Sequence, residues 1–313
     1  MDSNTIINIG SDGGFADGKK AGGLYRNIIA PLAPYAIRGM AWYQGEWNTG
    51  GSGFRDKYQS RMQRLIDGWR ADWGQGPLPF EIVQLPNFAT NDPWQVIREA
   101  QRLTRKNVAN TGMAITIDLG GGVPGFPDST ELHPRNKKDV GYRLALLALA
   151  DTYGHKLVAA SGPLFKSMSI RNDSAHLVFD YAGSGLIAKG VGLVGFEIAT
   201  AIDTNFVAAS AHIAGTEVVV HKTGAKVTRV RYAWAANPVA SLYNKEGLPA
   251  SPFQTYTSDV VGLLLGAGRP AQGEVRAAPK NWDARGRRLD PGLSASPEIF
   301  QRRYRLPPRQ MPE

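Results

Sequence analysis

The chain has 313 residues, 42% of them hydrophobic and 20% charged, with 36 Lys+Arg, 27 Asp+Glu and no Cys. A chain of this make-up folds into one large domain or two ordinary ones, which excludes whole-chain disorder, disulfides, thiolate nucleophiles and cysteine-ligated metal centres. The net charge of +9 is uneven, because residues 267–313 hold ten Arg/Lys against five Asp/Glu.

Residues 1–266 carry no basic helix and no Lys/Arg run interleaved with aromatics, so nucleic acid is not expected as a partner. The longest apolar run, residues 260–265, is far short of the roughly 20 residues of a membrane helix, so no membrane partner is expected either. Residues 1–14 (MDSNTIINIGSDGG) lack the basic and apolar regions of a signal peptide.

In chain order, residues 37–43 (IRGMAWY) read as a short buried strand ending in a polar turn. Phe54, Tyr58, Met62, Leu65, Ile66, Trp69 and Trp73 recur at helical spacing, and Gly74 and Pro77 close that helix. A second strand follows at 80–85 (FEIVQL), stopped by Pro86, and then a helix at 94–106. A third strand at 113–118 (MAITID) opens into a glycine-rich loop, and a third helix spans 136–153. Strand–helix alternation of this kind predicts a parallel sheet with helices on both faces. After about residue 160 the pattern shortens. Stretches at 175–179, 193–198, 217–221 and 227–234, separated by Gly, Asp and Asn, predict a small antiparallel β-domain. From about residue 266 the chain is rich in Pro and Arg without periodicity, as in a surface tail.

Two segments carry residue types suited to catalysis. The loop after the third strand reads DLGGGVPGFPDSTELHPRNKKDVG, with His133 two residues after Glu131 and five after Asp128. A His held by a carboxylate is a competent general base near neutral pH, and parallel sheets place their sites at the carboxyl ends of strands. A surface His beside incidental acids has the same local sequence. The first strand runs into Gln44-Gly45-Glu46-Trp47-Asn48. Its amide side chains and backbone N–H groups could donate to an oxyanion, or Glu46 and Asn48 could simply cap a strand-to-helix turn.

The blocks WYQGEWN, RADWG, LPFEIVQL, IREAQ and ELHPRNKKDVGYRLAL resemble, in order, the sialate O-acetylesterase family, which are SGNH-type carbohydrate esterases. GPLFKSM, GSGL, GFEIA and VRYAWAANPVASLYNKEGLPASPF resemble that family's C-terminal β-region, so the likeness runs from about residue 24 to 253. It implies an SGNH-like, flavodoxin-like α/β sheet, incomplete at the N-terminus, over residues 24–158. A β-rich accessory domain would follow at 159–258, with residues 1–23 as a flexible lead and 259–313 as a Pro/Arg-rich tail. It further implies serine-type hydrolysis of acetyl esters on O-acetylated carbohydrates, without metal or cofactor.

His133 matches the family's catalytic His, and Glu131 stands where Asp is usual, with Asp128 in reserve. Gln44 and Gly45 match an oxyanion-hole block that includes Glu46 and Asn48, and Trp47 replaces the family's usual Ser. The family's Gly-Gln-Ser-Asn nucleophile block is missing from the sequence. Ser11, in Gly10-Ser11-Asp12 after the apolar residues 6–9, is the nucleophile candidate within the chain. Without the family's nucleophile strand, the strand at 37–43 is expected to keep an unpaired edge, and self-association through that edge is the expectation. Family members are often periplasmic or secreted. Two alternatives stand beside the esterase: an inactive carbohydrate-binding protein, in which Trp47, Phe54 and Trp94 stack on sugars, and a coding sequence whose upstream part encodes the nucleophile.

Overall fold

The structure, a computed structural model, describes residues 23, 25–33, 35–120, 132–190, 192–256 and 259. All of them fall within one compact unit, Met1–Gly268. Apart from Gly23 and Asp259, the expected N-terminal lead and the Pro/Arg-rich tail lie outside the described residues.

Strands β1 (Met40–Trp42), β2 (Phe80–Val83) and β3 (Thr111–Ala114) form a parallel sheet in the order β1-β2-β3. Helices α1 (Tyr58–Trp73) and α2 (Trp94–Asn107) are the crossovers between them, and α3 (Lys137–Leu147) follows β3. Two right-handed crossovers that step in one direction put both helices on one face. Met40, Phe80, Ile82 and Met113 accordingly share a buried core with Tyr58, Met62, Leu65 and Ile66 of α1 and with Trp94, Ile97 and Ala100 of α2. The alternate strand positions face the other way, where Ala114 packs with Leu147 and Leu144 of α3. Helix α1 ends as its sequence predicts, on Gly74 in the left-handed region (φ 63°).

The strands are shorter than their apolar runs because side chains take over backbone bonding at the ends. Before β1, the Ile37 N–H donates to Gln75 Oε1 (3.0 Å), and Gln75 Nε2 donates to the Ile37 carbonyl (3.2 Å). Beyond β2, the Leu85 N–H donates to Gln101 Oε1 (2.9 Å). The third strand runs over 111–114 rather than 113–118. Ile115 and Ile117 remain buried, but Thr116 turns its hydroxyl onto the Gln84 carbonyl and leaves the ladder.

After α3 and a π-helical turn (Ala148–Thr152), the chain builds two four-stranded antiparallel sheets and a two-stranded one. The first has the order β4-β5-β10-β9: Leu164–Arg171, Ser174–Asp180, Glu217–His221 and Ser210–Ala214. The second has the order β13-β11-β7-β8: Phe253–Gln254, Arg229–Tyr232, Phe196–Ala199 and Val207–Ala208. Met168, Leu177, Val218 and Val220 of one sheet and Phe196, Ile198, Val230, Tyr232 and Phe253 of the other share a single core, the arrangement of a β-sandwich. Strand β4 is an addition to the strands expected from the sequence. It joins β5 through Asn172 (φ 47°) and Asp173 (φ 63°), the two positive φ values of a tight hairpin turn. The remaining pair is β6 (Leu186–Ala188) with β12 (Leu242–Asn244). No helix among the described residues is long and apolar enough to cross a membrane.

The two edges of the parallel sheet differ. Ser161 donates its hydroxyl to the Met113 carbonyl at the β3 edge (3.2 Å). At the other end of the sheet, β1 pairs only with β2 among the described strands, and Ala41 is exposed. On the α3 face one cross-strand row reads Ala41, Glu81, Gly112. Glu81 is 6% exposed, and neither of its carboxylate oxygens has a hydrogen-bond partner. Burial, and secondarily Asp151, push its pKa up to about 7, against the weaker opposing pull of Arg105 and the Gly112 amide. The carboxylate occupies the space a side chain at Gly112 would need, because a Cβ there would sit 1.9 Å from Glu81 Oε2. Gly112→Ala therefore overpacks the row and should cost about 1–3 kcal/mol of stability in urea unfolding. Adding Glu81→Ala should return most of that loss, since it removes the group the new methyl meets.

Candidate active site

The residues after β1 turn sharply at the carboxyl end of the sheet. Gly45 has φ 151°, and a Cβ there would lie 3.0 Å from Ile97 Cγ2 and 3.2 Å from Tyr58 Oη. A non-glycine residue is thus excluded by backbone strain and by contact together. Glu46–Thr49 then form a 3-10 turn. Gln44 is held at both ends. Its carbonyl accepts from Tyr58 Oη (2.8 Å) and from Gln101 Nε2 (3.1 Å), and its own Nε2 donates to Asn48 Oδ1 (2.7 Å). Because an amide nitrogen carries two hydrogens, this bond uses one and leaves one. Asn48 and Thr49 are buried, Glu46 is half-buried, and Trp47 points outward, 66% exposed. Burial, and then the nearby Glu46 carboxylate, push the Tyr43 hydroxyl up to about 12.

His133 lies exposed just before α3, between Leu132, which packs against the main core, and the buried Pro134. The helix itself starts at Asn136, whose Oδ1 accepts from the Asp139 N–H (3.1 Å), a side-chain N-cap. Lys137 Nζ sits 4.9 Å from the centre of the Tyr43 ring. That contact brings the start of α3, four residues after His133, against the residue preceding Gln44. The structure thus gathers the His133 segment and the Gln44–Asn48 turn at one end of the sheet. Glu131, Asp128 and Ser11, expected as orienting acid, reserve acid and nucleophile, lie outside the described residues.

The residues that build this end of the molecule include several with no role assigned from the sequence. Helix α2 is buried on two sides. Trp94, Ile97 and Ala100 face the parallel sheet, whereas Arg102 lies 6.0 Å from the Phe165 ring and Arg105 Nη2 donates to Tyr181 Oη (2.9 Å) in the β-region. Arg98 is fully buried and joins the layers. It donates to the carbonyls of Pro86 (3.0 Å) and Ala236 (3.1 Å), and also to that of Ala235. Burial alone pulls its pKa down to about 9. Asn87, just past β2, accepts from the Gly120 N–H (2.9 Å) and donates to Asn237 Oδ1 (2.9 Å). Arg143 of α3 grips Asp118 with two bonds (2.6 and 2.9 Å). Within the IREAQ block Arg98 and Gln101 stand about one helical turn apart, a spacing that places them on one face of the helix.

Of the three aromatics considered for sugar stacking, Trp94 is a core residue, with Nε1 bonded to the Pro86 carbonyl (2.7 Å). Phe54 is half-buried, with the Arg61 guanidinium 5.3 Å from its ring centre. Trp47 alone of the three stands in solvent beside the turn. Among the described residues no group of three or more His, Asp or Glu is placed to hold a metal ion.

Arg98→Lys keeps the charge but loses the planar fork that reaches three carbonyls. The expected cost is about 2–4 kcal/mol in chemical unfolding, since buried acceptors are left unmatched.

Four likenesses bear on this geometry. Residues 14–149 match the family model described as carbohydrate esterase, sialic acid-specific acetylesterase. The sialate O-acetylesterase of Rattus norvegicus is 29% identical over 258 residues, covering 74% of this chain and 46% of that protein. That of Homo sapiens is 29% identical over 262 residues, covering 75% and 49%. The crystal structure of a carbohydrate acetylesterase from Xanthomonas citri superposes with a TM-score of 0.68 at 41% identity, covering 75% of this chain and 54% of that one. The chain spans about half the length of these relatives. The chain is thus similar to the sialic acid-specific acetylesterases over residues 14–149 and shares its fold with the Xanthomonas citri carbohydrate acetylesterase.

Proposed function

We propose that this chain carries the base and oxyanion elements of a serine-type O-acetylesterase acting on acetyl esters of sugar hydroxyls. The observation that carries the reading is the convergence of the Gln44–Asn48 turn and the His133 segment at one end of the sheet, through Lys137 and Tyr43. Its relatives named as sialate and carbohydrate acetylesterases support the substrate class, an acetyl group on a sugar oxygen.

In the proposed reaction a serine Oγ attacks the acetyl carbonyl, and His133 takes the serine proton. The tetrahedral oxyanion accepts from the remaining Gln44 Nε2 hydrogen and from backbone N–H groups of the Gly45 turn. Collapse breaks the bond to the sugar oxygen, which leaves with the proton from His133. Water, activated by the same His133, then attacks the acetyl-enzyme and releases acetate and the free serine. Glu131 holds the imidazole in orientation, with Asp128 as its substitute. Within this chain Ser11 is the nucleophile of the proposal. Held by Tyr58 and Gln101, the Gln44 turn is set before substrate arrives, and fixed dipoles of this kind need no reorganisation during the reaction.

The test is acetate release from an aryl acetate and from O-acetylated sugars by the folded chain. Turnover is expected, and His133→Ala should lower kcat/KM by about 10²–10⁴-fold. Ser11→Ala should abolish it. Turnover that survives Ser11→Ala while falling with His133→Ala removes Ser11 from the mechanism and leaves the rest. Sugar binding without turnover, with affinity falling on Trp47→Ala, would replace the hydrolase by a binding protein.

A further inference from the structure

The outer face of the first antiparallel sheet carries three of the five histidines of the chain. Alternate residues of each strand point to opposite faces. Leu177, Val218 and Val220 enter the sandwich core, so His176 of β5, Glu217, Val219 and His221 of β10, and His212 of β9 face the other way. In register, Val219 stands between His176 and His212, and His221 stands opposite Ser210. Sheet twist brings one diagonal of each strand pair together. Across one such diagonal His176 Nδ1 lies 2.9 Å from Glu217 Oε2, and across the other the His212 and His221 ring centres lie 5.9 Å apart.

The two diagonal pairs differ in what occupies their nitrogens. His176 is tied to a carboxylate that Arg171 also holds. His212 and His221 are exposed, and among the described residues neither ring makes a hydrogen bond or an ion pair. Two neighbouring imidazoles with free ring nitrogens form a chelating pair for a divalent transition metal. Zinc lies about 2.0–2.1 Å from a ligating ring nitrogen, so two imidazoles sharing one ion at the tetrahedral angle have ring centres about 5 Å apart. The observed 5.9 Å closes to that separation by rotation about side-chain bonds, with the strands in place. We propose that His212 and His221 together bind one divalent transition-metal ion, with water completing its coordination. The bound ion clips β9, which ends the sheet order β4-β5-β10-β9, to its neighbour β10. Two protein ligands are fewer than the three or four of a permanent zinc centre, so this ion exchanges with solution. It takes no part in the proposed ester hydrolysis, and the inference does not depend on that reading.

Calorimetric titration of the full chain with zinc chloride, without an affinity tag and in metal-free buffer, tests it. One ion per chain is expected. His212→Ala and His221→Ala should each weaken binding by about tenfold or more, because the second contact of a linked pair forms at high effective concentration. His176→Ala should leave binding unchanged. Both substituted positions are exposed, and equal melting temperatures in metal-free buffer confirm that the variants fold. Excess zinc should raise the Tm of the parent chain and not that of the double variant, since the ion binds only the paired strands. Copper(II) bound at the same stoichiometry should show, in its paramagnetic resonance spectrum, coupling to two imidazole nitrogens. Absence of binding overturns the proposal, as does binding that both alanine variants leave unchanged. A loss on His176→Ala equal to that on His212→Ala also overturns it, and moves the ion to the Glu217 pair.

Discussion

A fully buried guanidinium ties the parts of this molecule together. Arg98 arises from α2, yet its bonds go to carbonyls of the segment after β2 and of the loop at Ala235 and Ala236. A charge in such a place is tolerable only because several oriented dipoles surround it. That requirement fixes where the β-region can sit, since a shift by even part of a residue would leave the charge bare. Gln101, one turn further along, ties the Gln44 carbonyl and the Leu85 N–H in the same way. Two side chains of one helix therefore set both the seam between layers and the turn that offers donors at the carboxyl end of the sheet.

The polar character of α2 follows from its position. A helix with sheet on one side and nothing on the other can be amphipathic, with its polar face in water. Helix α2 has the parallel sheet on one side and the β-region on the other, and so Arg98, Glu99, Gln101, Arg102 and Thr104 are buried. The Arg102–Glu99 ion pair is two-pronged (2.8 and 2.7 Å), with both side chains out of solvent. Such a pair adds little net stability compared with apolar packing, but it restricts which arrangement of the layers is allowed.

The two edges of the parallel sheet make a contrast of the same physical kind. At β3 the Met113 carbonyl accepts from the Ser161 hydroxyl within the fold. At β1 the sheet ends on Ala41, with Glu81 behind it and Gly112 beyond. A row of two small residues flanking an acid leaves space and an unmatched charge, and Gly112 is needed there because Glu81 fills the place of its side chain.

Much of this architecture is legible along the chain. Helical spacing from Phe54 to Trp73, closed by Gly74, and the three apolar runs specify a parallel α/β layer, because burial of one face is a local property of periodicity. Ordered blocks around Gln44 and His133 carry the likeness to the acetylesterases. Strand ends were not legible, since Gln75, Gln101 and Thr116 displace ladder bonds from afar in sequence. Strand β4 went unread, although Asn172-Asp173 is a two-residue turn of the kind that joins hairpins.

What the sequence determined by itself was therefore the strand–helix alternation of the parallel layer, the antiparallel character of the region after it, and the residue types brought to the carboxyl end of the sheet. Only the tertiary structure decided which polar groups meet. Arg98 with three carbonyls, Gln44 with Tyr58 and Gln101, Lys137 with Tyr43, and Glu81 with no partner all depend on atoms far apart in the chain. Hydrogen bonds are short-ranged and directional, whereas a one-dimensional pattern records only which faces are apolar.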